Sequence, residues 1–192
     1  ALLPRRRQNL LFSATFPPAV VALADSLLHD PVRIEVPRAV REAGEAGAAP
    51  LLVERAVTVD AARRTPLLRH LMEQGAWTRV LVFVATRYAS EHVADKLRRA
   101  GIAAAAFHGD ASQGARTQVL ADFKSGTLRV LVATDLAARG IDIAHLPVVV
   151  NYDLPRSAVD YVHRIGRTAR AGADGLAISF VSADSEAHFR LI

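Results

Sequence analysis

From residue 51 onward, short apolar runs alternate with longer amphipathic stretches. The runs fall at 52–59, 80–86 (VLVFVAT), 103–107 (AAAAF), 128–134 (LRVLVAT), 147–153 (PVVVNYD) and 176–181 (LAISFV). Between them lie helix candidates over 63–74, 88–100, 113–125, 157–165 and 184–191. Gly101 and Gly126 stand where helices are expected to end, and Ser157 followed by Asp160 predicts a capped helix start. Runs that are apolar throughout, without alternation, belong to strands covered on both faces. Strands alternating with helices predict βαβ units, a parallel sheet and right-handed crossovers. The expected class is therefore α/β, with a mostly parallel sheet between helices.

The first fifty residues have a different texture. An apolar triplet at 10–12 precedes Ser-Ala-Thr at 13–15, and Pro17 and Pro18 open a helical stretch over 19–28. Residues 31–50 are rich in Pro, Ala, Gly and Glu without a clear period, which reads as a linker.

Composition narrows the classes. The chain has 192 residues and a hydrophobic fraction of 51%, so it folds around a core. No apolar run reaches the roughly 18 residues of a membrane helix, so no membrane partner is expected. There is no secretory signal pattern, and a chain opening on Ala1 is expected to be a fragment of a longer protein. Cysteine is absent, which excludes disulfides and zinc-thiolate sites and favours a cytoplasmic location. The net charge of +5 suits a polyanion. Apart from Lys96 and Lys124 every basic residue is arginine, which grips phosphate in a planar fork.

The polar residues collect at the carboxyl ends of the expected strands, where open α/β sheets bind ligands. Thr86 and Arg87 follow one run, His108, Gly109 and Asp110 another, Thr134, Asp135 and the ARGID stretch at 138–142 a third, and Tyr152 and Asp153 a fourth. The stretch HRIGRTARAG at 163–172 adds His163, Arg164, Arg167 and Arg170. These cations point to a phosphate, yet the chain has no Gly-Lys-Ser/Thr loop to cradle one. It also has no strand-end carboxylate pair for magnesium, and His163 has no second ligand at metal-binding spacing, so no metal site is expected.

Four segments in this order, SAT at 13–15, FHGDASQGAR at 107–116, ATDLAARGID at 133–142 and HRIGRTARAG at 163–172, resemble the later motifs of DEAD-box RNA helicases. The RhlE-like bacterial branch is the most similar, through RQNLLFSATF, SQGARTQVLADFKSGTLRVLVATD and VVNYDLP. The resemblance runs over nearly the whole chain from Arg7. It implies a RecA-like three-layer sandwich over 51–192, the second lobe of a two-lobed ATP-dependent RNA helicase. Residues 1–30 would be the trailing strand and helix of the first lobe, and 31–50 the linker. ATP with Mg2+ would be bound mainly by that first lobe, whose ATP loop and DEAD sequence this chain lacks. The fragment is therefore expected to be inactive alone. The implied partners are RNA, with little sequence preference, and the first lobe; residues 1–30 could also mediate self-association.

The resemblance also assigns residues. Arg167 and Arg170 match arginine-finger positions, with Gly166 ending the helix so that Arg167 can leave its axis. Asp142 matches a ribose contact, and His163 a contact beside the nucleotide with the DEAD-bearing lobe or the SAT segment. Arg139 could meet a phosphate or lock Asp135 or Asp153. RNA would be met by Gly109, Gln113, Arg116 and Thr134, with Thr86 and Arg87 beside them. Gln113 and Arg116 are three apart on one helical face, at a helix start whose amides favour phosphate, and Gly109 allows close approach. Ser13 and Thr15 would couple the lobes. Phe83 and Phe107 are expected in the core, Ala169 in a loop that needs no positive φ, and Arg164 has no assigned role.

Overall fold

The computed structural model describes residues 4, 7–13, 16–35, 51–138, 141, 143, 145–169 and 173–192. Two compact units emerge, Ala1–Gly44 and Glu45–Ile192. In the smaller one, helix α1 (Pro18–Leu27) starts on a proline pair and ends at Leu28, and Asn9 donates to the Leu27 carbonyl. No strand forms at residues 10–12, and Leu10 and Phe12 are exposed. An apolar triplet becomes a strand only against a neighbouring strand, because its ladder hydrogen bonds need a partner.

The larger unit holds a six-stranded sheet. Its strands are β1 (Leu52–Thr58), β2 (Val80–Val84), β3 (Ala104–Phe107), β4 (Val130–Thr134), β5 (Val148–Asn151) and β6 (Gly175–Val181). The order is β1-β6-β5-β2-β4-β3, and every pairing is parallel. The helices are α2 (Arg64–Gln74), α3 (Arg87–Arg99), α4 (Gln113–Ser125), α5 (Asp135–Ala138), α6 (Ala158–Ile165) and α7 (Glu186–Phe189). Five of the six fall within a few residues of the stretches expected for them. The single-turn α5 has no counterpart among those stretches.

Alternate residues of the strands feed two cores. Val80, Val82 and Val84 join Leu68 and Met72 of α2 and Val93 and Leu97 of α3 on one face. Leu81 and Phe83 join Phe123 of α4, Ala137 and Ala138 of α5, and Phe107 on the other. This is the expected three-layer arrangement, and it explains the unbroken apolar runs. β1 is the exception: it is an edge strand carrying Glu54 and Arg55, both exposed.

Local chemistry fixes the helix ends. Thr86 accepts from the Ala89 amide at the start of α3, and Ser112 accepts from the Ala115 amide at the start of α4. Ser157 accepts from the Asp160 amide and donates to its carboxylate, which starts α6 as the sequence predicts. Gly126 closes α4 at φ 84°, a left-handed value that disfavours a side chain.

Strand order reverses around β2, which lies between β4 and β5. The carboxyl ends of these three strands therefore border the crevice where such sheets place ligands. Helix α6 lies over it. Its Tyr161 donates to Glu54 Oε2 of β1 at 2.7 Å, which anchors the helix to the sheet's far edge. Burial, with Glu54 beside it, pushes the Tyr161 hydroxyl up to about 12. Because the folded state holds this proton more tightly than the unfolded chain, the anchor contributes stability below about pH 10 and loses it as the pH rises toward 12. Tyr161→Phe should flatten that alkaline loss of stability, read as the urea midpoint against pH. An unchanged alkaline slope in Tyr161→Phe would refute the assignment.

Candidate nucleotide and nucleic-acid site

The site is built around Arg164, the residue to which the sequence assigns no role. It is 2% exposed. Its Nε and Nη2 donate to the two carboxylate oxygens of Asp135 at 2.6 and 2.7 Å. Its Nη1 donates to Asn151 Oδ1 at 3.0 Å and to the Asp153 carbonyl at 2.6 Å. The guanidinium carbon also lies 4.9 Å from the centroid of the Phe83 ring. One side chain thus ties α6 to β2, to the start of α5 and to the end of β5. Only arginine can make the two-pronged bond to Asp135.

A second arginine extends the network. Arg64 donates to Asp153 Oδ1 at 2.7 Å and to Ser182 Oγ at 3.3 Å, while the other Asp153 oxygen accepts from the Ala85 amide. Asp135 and Asp153 are therefore both satisfied, by Arg164 and Arg64 respectively. Beside them Tyr152 bonds Thr65 and packs on Phe180, and burial raises its hydroxyl pKa.

Arg167 behaves differently from Arg164. Helix α6 stops at Ile165, and the chain turns at Gly166, as expected. Arg167 leaves the helix axis and donates to the Ile141 carbonyl at 3.1 Å. A small pocket collects Phe83, Asp135, Ala138, Asp160, His163, Arg164 and Arg167. His163 is exposed at its rim. Arg170, Asp142 and Arg139 lie outside the described residues.

The loop after Arg167 corrects one expectation. Ala169 adopts φ 51°, so the position does take a left-handed backbone despite carrying a side chain. Its neighbours impose it. Thr168 is buried and bonds the Leu146 carbonyl, and Thr168 and Leu146 form a parallel bridge. A side chain at Gly175 would meet the Ala169 amide at 2.4 Å, so β6 and this loop are in close contact.

The residues expected to meet RNA lie along the neighbouring stretch of the same edge. Gly109, Gln113, Thr86 and Arg87 are exposed, and Thr134 and Arg116 are half-buried. Arg116 reaches Gln113 Oε1 at 3.4 Å and lies over the Phe107 ring at 5.0 Å, so both project from the start of α4. Its Nε is buried without a hydrogen-bond partner. Arg87 pairs with Asp110, joining the start of α3 to the loop after β3. The Thr86 hydroxyl is engaged as the α3 cap. His108 is buried, with Nε2 2.7 Å from Glu91 Oε1. Phe83 and Phe107 are core residues, as expected. Ser13 is exposed in the N-terminal unit, and Thr15 lies outside the described residues.

A family model described as the helicase conserved C-terminal domain matches residues 63–172, a span that contains Arg64, Arg87, Arg116, Asp135, Arg164 and Arg167. The chain belongs to that family. It is 41% identical over 182 residues to the ATP-dependent RNA helicase DBP2 of Candida glabrata, covering 94% of this chain and 33% of the relative. Among solved structures, the Escherichia coli DEAD-box protein SrmB bound to regulator of ribonuclease activity A superposes with a TM-score of 0.65 at 44% identity, over 74% of this chain and 82% of that one. Saccharomyces cerevisiae Dbp5 bound to RNA and ADP BeF3 gives 0.74 at 34% identity, over 94% of this chain and 46% of that one. The helicase C-terminal domain seen here is thus RecA-like, as its sequence implies, and its relatives are DEAD-box proteins. The chain spans about a third of the length of DBP2.

Within this helicase domain the sequence marks Asp135 and Asp153 as strand-end carboxylates but does not pair them with Arg164 and Arg64, and it gives Asn151 no role. Only the strand order brings the ends of β2, β4 and β5 together. Two outcomes follow. Arg164→Ala should lower stability by about 3–5 kcal/mol, since it strands a carboxylate in a half-buried site, and Arg164→Lys should recover only part of that. Urea denaturation measures both, and wild-type stability in Arg164→Ala would contradict the network. Ala169→Gly should raise stability by up to about 1 kcal/mol, because glycine adopts this φ without strain; a loss in the same assay would show that φ is not the controlling factor.

Proposed function

We propose that this domain is the C-terminal lobe of an ATP-dependent RNA helicase and supplies half of a composite site. The observation that carries the reading is the contrast between two arginines one turn apart. Arg164 is buried inside the lobe on Asp135, while Arg167 stands past the end of α6 and lines a pocket with exposed His163. In this reading Arg167 and Arg170 are arginine fingers, His163 contacts the opposing lobe beside the nucleotide, and Asp142 and Arg139 meet the nucleotide.

The donors fit a polyphosphate. Asp135 and Asp153 are paired with arginines, so their negative charge is compensated before an anion approaches. Arg167 donates to the Ile141 carbonyl, and a charged phosphate oxygen is a stronger acceptor for a guanidinium than a neutral carbonyl. In this reading Mg2+ and the bulk of ATP are held by the other lobe, because this sequence carries no Gly-Lys-Ser/Thr loop. ATP supplies a γ-phosphoryl whose charge spreads over its oxygens during transfer, and a cation delivered from this lobe is worth about 10³–10⁵ in rate. Hydrolysis then depends on the two lobes closing.

RNA is the second ligand in this reading. Gly109, Gln113, Arg116 and Thr134, with Thr86 and Arg87, form the contact edge, directed at phosphate and ribose and hence weak in sequence preference. Residues 1–30 are the trailing strand and helix of the first lobe, carrying Ser13 and Thr15 as coupling residues, and 31–50 the linker. The exposed apolar side chains of 1–30 suit pairing with that lobe or with a second copy. The RhlE-like branch and a cytoplasmic location complete the reading, from the sequence stretches and the absence of cysteine.

The chain alone should show no RNA-stimulated ATPase. Adding a separately expressed first lobe should produce hydrolysis, and Arg167→Ala should reduce it by about 10³-fold or more while RNA binding persists. Turnover by the chain alone, or equal rates for wild type and Arg167→Ala, would sink the proposal.

A further inference from the structure

We propose that Tyr88 and His92 form a stacking platform for an unpaired RNA base, beside the groups that meet the phosphate chain. The proposal rests on the RNA reading above and extends it. Tyr88 is 75% exposed, yet it is not loose. Its ring stacks on that of His92, with centroids 5.6 Å apart and planes 13° from parallel. The two residues are four apart on α3, one above the other on the same helical face. The helix beneath them is fixed, through its Thr86 cap and its buried Ser90, Val93, Ala94 and Leu97. A flat ring is thus held in place with its outer face open.

Its surroundings select the ligand. Arg87, the preceding residue, pairs with Asp110 and so connects the platform to the loop of Gly109 that leads to Gln113 and Arg116. Phosphate-directed groups and an exposed aromatic ring therefore adjoin, the combination with which proteins hold single-stranded RNA. Other aromatics at this edge are unavailable. Phe83 and Phe107 are buried, and Tyr152 and Tyr161 are part-buried with hydroxyls bonded to Thr65 and Glu54. Every base offers a π-face, so the platform adds affinity without adding sequence preference. A second reading is that the pair merely supports α3, as aromatic neighbours on a helix can.

The two readings differ in salt dependence and in the base. Titrate the chain into a single-stranded oligouridine carrying one 2-aminopurine, and follow anisotropy and 2-aminopurine fluorescence across a salt series. Wild type should bind and quench the probe. Tyr88→Ala should bind on the order of tenfold more weakly and lose the quenching, with an unchanged salt slope, because stacking releases no counterions. Tyr88→Phe should behave as wild type, and Tyr88→Leu, which keeps bulk without the ring, as Tyr88→Ala. Arg116→Ala should instead reduce the salt slope by about one. If Tyr88→Ala and Tyr88→Leu bind and quench like wild type while Arg116→Ala weakens binding, the platform is wrong and the RNA edge stands. The platform is equally wrong if Tyr88→Ala lowers only the melting temperature. If wild type does not bind the oligonucleotide at all, both fall.

Discussion

A guanidinium taken out of water has to be met on every side. Arg164 is that group here, and most of the local architecture follows from meeting it. Asp135 supplies the opposite charge, Asn151 and the Asp153 carbonyl accept from Nη1, and Phe83 offers a π-face. These partners come from the ends of three adjacent strands, β2, β4 and β5. A buried ion pair adds little net stability compared with apolar packing, but it tolerates only one geometry. It therefore fixes which face of α6 turns inward. Tyr161, Arg164 and Ile165 face the sheet, leaving Val159, Val162 and His163 on the outside.

The same constraint spreads outward through Asp153. Its carbonyl serves Arg164, one carboxylate oxygen serves Arg64, and the other holds the Ala85 amide just past β2. Arg64 continues to Ser182 beyond β6. A polar network therefore runs along the carboxyl edge of the sheet, above the two apolar clusters. Such a network specifies a single arrangement because each member left unpaired would be costly.

The fold is largely readable in the sequence, because valine-rich runs and well-placed caps leave few alternatives. The six runs are six strands, and Ser157, Gly101 and Gly126 mark helix ends as expected. Helix α5 escapes notice because one turn of four residues is too short to show a period. The site is readable only in part. Arg164 and Arg167 look equivalent in HRIGRTARAG. Had α6 continued, they would lie about 60° apart around it, on nearly the same face. The helix stops between them, and that stop sends the two side chains in different directions, Arg164 into the lobe and Arg167 to the pocket. Ala169 defeats the sequence for a related reason. A local preference worth about 1 kcal/mol yields to the Thr168–Leu146 bridge and the close approach of β6. For Arg170, Asp142 and Arg139 the sequence remains the sole guide.

The Gly109 loop leaves β3, and the Arg164 network begins on the next strand, at Asp135 just past β4, and runs across β2 to β5. Neighbouring strands lie about 4.8 Å apart, so the two areas sit side by side on one hydrogen-bonded sheet covered on both faces. Close packing on both faces makes such a slab stiff. The areas are therefore fastened to one plate, and whatever displaces one carries the other by the same rotation. Communication between them needs no rearrangement inside this domain, only a change in how the plate as a whole is oriented.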